Sequence, residues 1–88
     1  MQIFLNTYNE NRDCWENRII KIGKTWTLVD LKTELEKLTG IPKDEQLISK
    51  QDYSIYNAVV LLDNDFSLSK LRIFDGGKIY LEKKFRIH

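Results

Sequence analysis

The chain has 88 residues, 42% hydrophobic and 31% charged, with 14 Lys+Arg against 13 Asp+Glu; at that size roughly 64% of the unfolded surface is buried on folding, enough for one core and no second domain. A net charge of +1, balanced in both halves, offers none of the basic stripe that nucleic-acid recognition requires. No apolar run nears the roughly 20 residues of a membrane span, and no basic region leads into an apolar stretch with a cleavage site, so neither nucleic acid nor membrane is expected as a partner.

Met1 to Thr7 alternates with period two, placing Met1, Ile3 and Leu5 on one face and Gln2, Phe4 and Asn6 on the other. Tyr8 to Asn17 is polar and rich in asparagine and reads as a loop. Alternation resumes at Arg18–Ile22 with Ile20 and Ile22 inward, so the two runs predict an antiparallel hairpin.

From Thr25 the period changes: Leu28, Leu31, Leu35 and Leu38 form one helical stripe. Thr27 is the expected N-cap and Asp30 a short capping-box acid, while Gly40 and Pro42 end the helix, which is predicted over about 28–39. Its outward residues Lys32, Glu36 and Lys37 read as a solvated face. So short a helix is marginal alone, and its leucines must pack on a sheet.

Gln46–Ser49 reads as a short strand, and 54–62 as a segment ending in the apolar run Ala58 to Leu62. Ser67 to Ile73 reads as a short helical turn, about 67–72, with Leu68 and Leu71 inward. Asp75-Gly76-Gly77 is a turn, and Lys78–Glu82 a last strand with Ile79 and Leu81 inward.

One cysteine, Cys14, cannot close an internal disulfide, which fits a reducing compartment and an intracellular location, cytoplasmic or nuclear. With one histidine, His88, and no paired ligand spacing, no metal site is expected. A Cys14–His88 dyad would join a turn residue to a chain end, and a free thiol beside a solvated terminus is the plainer reading. The glycines form no phosphate-cradling loop. No catalytic residue and no cofactor is expected, and binding is the function that remains.

The order strand, strand, helix, strand, strand, short helix, strand is that of the beta-grasp, and the residues resemble ubiquitin in particular. Met1-Gln2-Ile3-Phe4, Thr7, the threonine-capped helix, its Gly40-Ile41-Pro42 exit, Leu68-Ser69 and Lys78-Ile79-Tyr80-Leu81 carry the resemblance. It implies an α+β ubiquitin-like domain over 1–84, with a mixed four- to five-stranded sheet packed on one main helix. Residues 85–88 are expected to be a tail or the start of a linker. The first hairpin loop, holding Cys14 and Trp15, and the segment from Gln51 to Leu61 are longer than the family's.

The family's modifiers end in a Gly-Gly tail, whereas this sequence closes on Lys83-Lys84-Phe85-Arg86-Ile87-His88 and has a strand after Gly76-Gly77. The expectation is therefore an unconjugated domain. The family's hydrophobic receptor patch maps onto Tyr8, Ser49, Tyr80 and Glu82, so standard ubiquitin receptors should not bind. The commonest linkage lysines map near Tyr53 and onto Asp75, although Lys32 matches one on the helix.

The resemblance implies an interaction or regulatory domain of a larger intracellular ubiquitin-pathway protein, with a deubiquitinase favoured as parent, and a monomer in isolation. It would dock a protein partner or a neighbouring domain of its own chain. The alternative is a Ras-association-type module that meets a small GTPase with Arg18, Lys21 and Lys24, diluted by Glu16. The residues expected to bind are Phe4, Ser49, Tyr80, Glu82, Lys83 and Lys84. Trp15 and Trp26 are either recognition residues or caps on the edge of the core. Tyr53, Ile55 and Tyr56 either fold over the core or form a recognition loop. Lys83, Lys84 and Arg86 are expected to make a cationic terminal edge, and Phe74 and Phe85, towards the end of the chain, are further aromatics that could bind.

Overall fold

A computed structural model of the chain describes residues 1–9, 11–52, 57–62 and 64–84. Strand β1 (Gln2–Asn9) turns into β2 (Cys14–Lys21), and helix α1 (Leu28–Thr39) follows. A 3-10 helix over Lys43–Glu45 leads into β3 (Gln46–Asp52), then β4 (Asn57–Val60) and β5 (Lys78–Lys83). The strands form one mixed sheet in the order β2-β1-β5-β3-β4, with β1 and β5 parallel and the other pairs antiparallel. The expected α+β beta-grasp is present.

The period-two pattern decides which face is buried. Ile3 and Leu5 of β1, Ile48 of β3 and Ile79 and Leu81 of β5 are buried against Leu28, Leu31 and Leu35 of α1. Each such side chain contributes about 1.5–3 kcal/mol by leaving water. Leu68, Leu61 and Ile73 close the far end of this core, and Trp26 packs against it.

The helix forms where its caps predict. Thr27 has extended backbone angles, its Oγ1 accepts from Asp30 N, and the Asp30 carboxylate accepts in return from Thr27 N at 2.9 Å. Gly40 ends the helix in the left-handed region at φ 78. The four-leucine stripe needs a correction, because Leu38 is exposed. Successive positions rotate by about 100°, which carries Leu38 to the rim of the stripe, beyond the sheet's cover.

The loop expected over Tyr8 to Asn17 is also corrected. Both strands continue through most of it, and the chain reverses between Asn9 and Cys14. The Asn9 carboxamide oxygen accepts from the backbone N–H groups of Asn11 and Arg12, the kind of local asparagine turn that can stand in for a longer loop. Asp13 takes φ 51, and its carboxylate accepts from the Tyr8 hydroxyl. Asn9 Nδ2 donates across the pair to Glu16 at 3.1 Å. Cys14 and Trp15 accordingly belong to β2.

The strand after the helix runs three residues further than Ser49, to Asp52. The expected 67–72 turn is one helical turn closed by Leu71 N donating to Ser67 O. Tyr53, Ile55, Tyr56, Phe85, Arg86 and His88 lie outside the described residues.

Candidate functional site

The face of the sheet away from α1 collects most of the residues expected to bind. Phe4, Asn6 and Tyr8 alternate with the buried residues of β1. Their register partners on β2 are Ile19, Asn17 and Trp15. On the other side Phe4 pairs with Lys78 and Asn6 with Tyr80; Tyr80 in turn stands opposite Ser49, and Glu82 opposite Leu47. Phe4, Ser49, Tyr80 and Glu82 therefore share one face.

Trp15 binds this face into a unit. Its ring meets Tyr8 with centroids 5.6 Å apart and Tyr80 at 6.2 Å, both edge to face. The positive ring edge against the negative ring face makes this arrangement favourable. Lys78 Nζ lies 5.8 Å from the Tyr80 ring centroid. Phe4 and Trp15 are each 47% exposed and Ile19 is 62% exposed, so the cross-strand pair Phe4–Ile19 and the indole present apolar surface to solvent. Beneath them Asn6 Oδ1 is covered and has no hydrogen-bond partner among the described residues.

Of the expected cationic edge, Lys83 and Lys84 do not join the set Phe4, Ser49, Tyr80 and Glu82. Lys83 lines a groove of about 360 Å³ with Tyr8, Arg18, Leu38 and Ile41, at the C-terminal end of α1. Lys84 lines a different groove beside Lys32. The strand parity that sends Tyr80 and Glu82 outward sends Lys83 the other way, so the six expected residues divide into a sheet-face set and two separate lysines.

Trp15 is the residue of the face that sequence reasoning left undecided, and the structure places it outward, not over the core. A local signal existed in strand parity: counted back from the inward Ile20 and Ile22, Trp15 falls with Ile19 and Lys21 in the outward set, but the asparagines around it read as loop. Phe74, 57% exposed, stands apart from this cluster in the chain leading to Asp75-Gly76-Gly77.

The Gly-Gly pair lies inside the fold. Gly76 has φ 81, a conformation glycine adopts without the Cβ clash other residues meet. Gly76 N donates to Gln2 O, Gly77 N to Phe74 O, and Gly77 O accepts from Phe4 N at 2.8 Å, which pins the turn to β1 before β5 begins.

One edge of the sheet is β2, with Arg18 and Lys21 exposed on it and Lys24 exposed just beyond its end. Glu16 is partly neutralised by Arg12 at 3.6 Å. Cys14 is an exposed thiol, and its suggested partner His88 is not among the described residues. Within those residues no group of three or more His, Cys, Asp or Glu is placed to hold a metal. No described helix is long and apolar enough to cross a membrane.

A protein-family model described as a ubiquitin-like domain matches residues 3–86. No curated protein matches the chain.

Proposed function

The chain belongs to the ubiquitin-like domain family, and from that premise we propose that it is an unconjugated docking module which recognises a protein partner, or a neighbouring domain of its own chain, through the outward face of the sheet. The observation that carries this reading is the edge-to-face run Tyr8–Trp15–Tyr80 beside exposed Phe4 and Ile19. Clustered aromatics of this kind are enriched among the side chains that dominate interface energetics.

Ser49 and Glu82, at positions where the family resemblance places apolar receptor contacts, turn this surface away from standard ubiquitin receptors. The partner therefore differs from theirs. Because Gly76-Gly77 is tied to β1 in a turn, those glycines are unsuited to serve as a conjugation tail.

Further elements of the reading rest on family habit. They are a deubiquitinase or another ubiquitin-pathway protein as parent, an intracellular setting in cytoplasm or nucleus, a monomeric isolated domain, and no nucleic-acid or membrane partner. Lys83 and Lys84 belong to the binding surface only if the partner reaches round the sheet's end.

Quantitative pull-downs from cytosol with wild type, Tyr80→Ala and Trp15→Ala test the docking face. Loss of the same partners in both variants is expected, and equal recovery from all three overturns the reading. Incubation with ubiquitin-activating enzyme and ATP is expected to give no thioester.

A second reading has one observation in its favour. Strand β2 is a sheet edge carrying exposed Arg18 and Lys21, the arrangement with which a Ras-association-type module would pair with a small GTPase. Arg18→Glu with Lys21→Glu would abolish GTPase binding under that reading and leave the Tyr80-dependent partners untouched under the first.

A further inference from the structure

Away from the aromatic cluster, α1 faces the start of β3 and the exit of β4 across a groove of about 410 Å³. This lies within the range of ligand pockets, about 300–1,000 Å³. Its apolar wall is Val29, Val60 and Leu62, which are 38%, 43% and 74% exposed. Lys32, Lys43 and Lys84 also line it, and among the described residues Asp44 is the one carboxylate that lines it with them. Among the described residues none of these lysines forms an ion pair.

Two details single this groove out from an ordinary solvated lysine cluster. The first is the state of Lys32. Its ammonium donates to Asn64 Oδ1 at 2.8 Å, a neutral acceptor, and no carboxylate among the described residues pairs with it. Burial first, and the neighbouring charge of Lys84 second, lower its pKa. The partly buried Lys32 ammonium thus feels the charge of the exposed Lys84, and an arriving anion would offset that repulsion.

The second detail is Gln46. Its Nε2 donates to Lys32 O at 2.8 Å and to Ile41 O at 3.0 Å, which anchors the amide. The residue is only 5% exposed, and its Oε1 has no hydrogen-bond partner among the described residues. A buried acceptor left open is costly, and it belongs to a side chain whose residue lines this groove.

We propose that this groove is a second docking site, which takes an acidic side chain flanked by aliphatic ones on a peptide segment of a partner protein. The carboxylate sits between Lys32 and Lys84, and the aliphatic neighbours cover Val29, Val60 and Leu62. Asp44 and the aliphatic wall set this groove apart from the continuous basic surface that a polyanion such as a nucleic-acid backbone requires. None of Tyr8, Trp15 and Tyr80 lines this groove, so the two sites succeed or fail independently.

The test is a nitrogen-15 amide titration of the 88-residue chain with a capped peptide alternating leucine and aspartate, repeated with asparagine in place of aspartate. Saturable shifts are expected at Val29, Lys32, Gln46, Leu62 and Lys84, weakened at least tenfold by the asparagine peptide. Lys84→Gln and Lys32→Gln should each weaken the aspartate peptide comparably, with dispersed amide spectra showing that both variants fold. Tyr80→Ala should bind it unchanged. Equal affinity for the two peptides, shifts centred on Phe4 and Tyr80, or no saturation at millimolar peptide overturns the proposal. Saturation of the same lysines by inorganic phosphate alone, at lower concentration than the peptide needs, overturns it in favour of a phosphate site.

Discussion

Trp15 and Tyr80 stand edge to face, with ring centroids 6.2 Å apart and ring planes at 90°, although their strands are separated by β1. The contact passes over Asn6, whose short side chain lets the two larger rings meet above it; Asn6 is the register partner of both Asn17 and Tyr80. A hairpin two residues shorter in each strand would end before Trp15. The length of β1 and β2 is thus what assembles the aromatic face.

The Trp15–Tyr80 contact is expected to be energetically real. Trp15→Ala, Tyr80→Ala and the double variant, compared by urea unfolding, should give a coupling energy of about 0.5–1.5 kcal/mol in favour of the pair. Strict additivity would mean that the rings lie near one another without contributing.

Lys32 should leave a signature at alkaline pH. Its folded-state pKa lies below the ordinary 10.5, chiefly through burial and then through Lys84. Between the folded and unfolded values the unfolded chain holds the extra proton, so stability rises with pH across that window. The cost of charging Lys32 is fully present below the folded pKa. Carbon-detected titration of Lys32 Cε should give a midpoint below 10.5 that moves upward in Lys84→Gln. The rise in unfolding free energy with pH should be smaller in Lys32→Met than in wild type.

Gly23 leaves room for Trp26. A Cβ there would stand 2.4 Å from the indole Nε1 and 2.5 Å from Cδ1, and the ring is packed against the core. Gly23→Ala is expected to push the indole outward and to destabilise by about 1–3 kcal/mol. In a Trp15→Phe background, the remaining tryptophan emission should shift to the red; unchanged emission and stability would show that the ring moves aside without cost.

Much of the architecture was legible because two periodicities and a few capping residues carry it. Thr27, Asp30 and Gly40 bound α1 at the predicted residues, and the inward set Ile3, Leu5, Ile79 and Leu81 is buried as alternation requires. The hairpin was misread for a physical reason. Asparagine and aspartate favour turns through local side-chain bonds, and among the described residues of the hairpin that turn is made at Asn9; Asn17 instead lies on the outward sheet face, exposed to water, where polarity carries little penalty. Leu38 shows the opposite error, since the helical period places a residue on a stripe without saying how far the sheet extends beneath it.

The candidate site was legible only in part. Phe4, Ser49, Tyr80 and Glu82 could be assigned to one face because strand parity is local. Their neighbour Trp15 and the separation of Lys83 from Lys84 depend on which strands adjoin and where each ends.

Sequence alone determined the grasp order, the caps, the inward aliphatic set and the absence of a strong net charge, because each follows from residues close together in the chain. Tertiary structure alone decided that Trp15 reaches Tyr80, that Gly76-Gly77 is tied to β1, and that Lys32 shares a groove with Lys84. Those relations join residues far apart in sequence, and strand pairing, not local propensity, sets the distances between them.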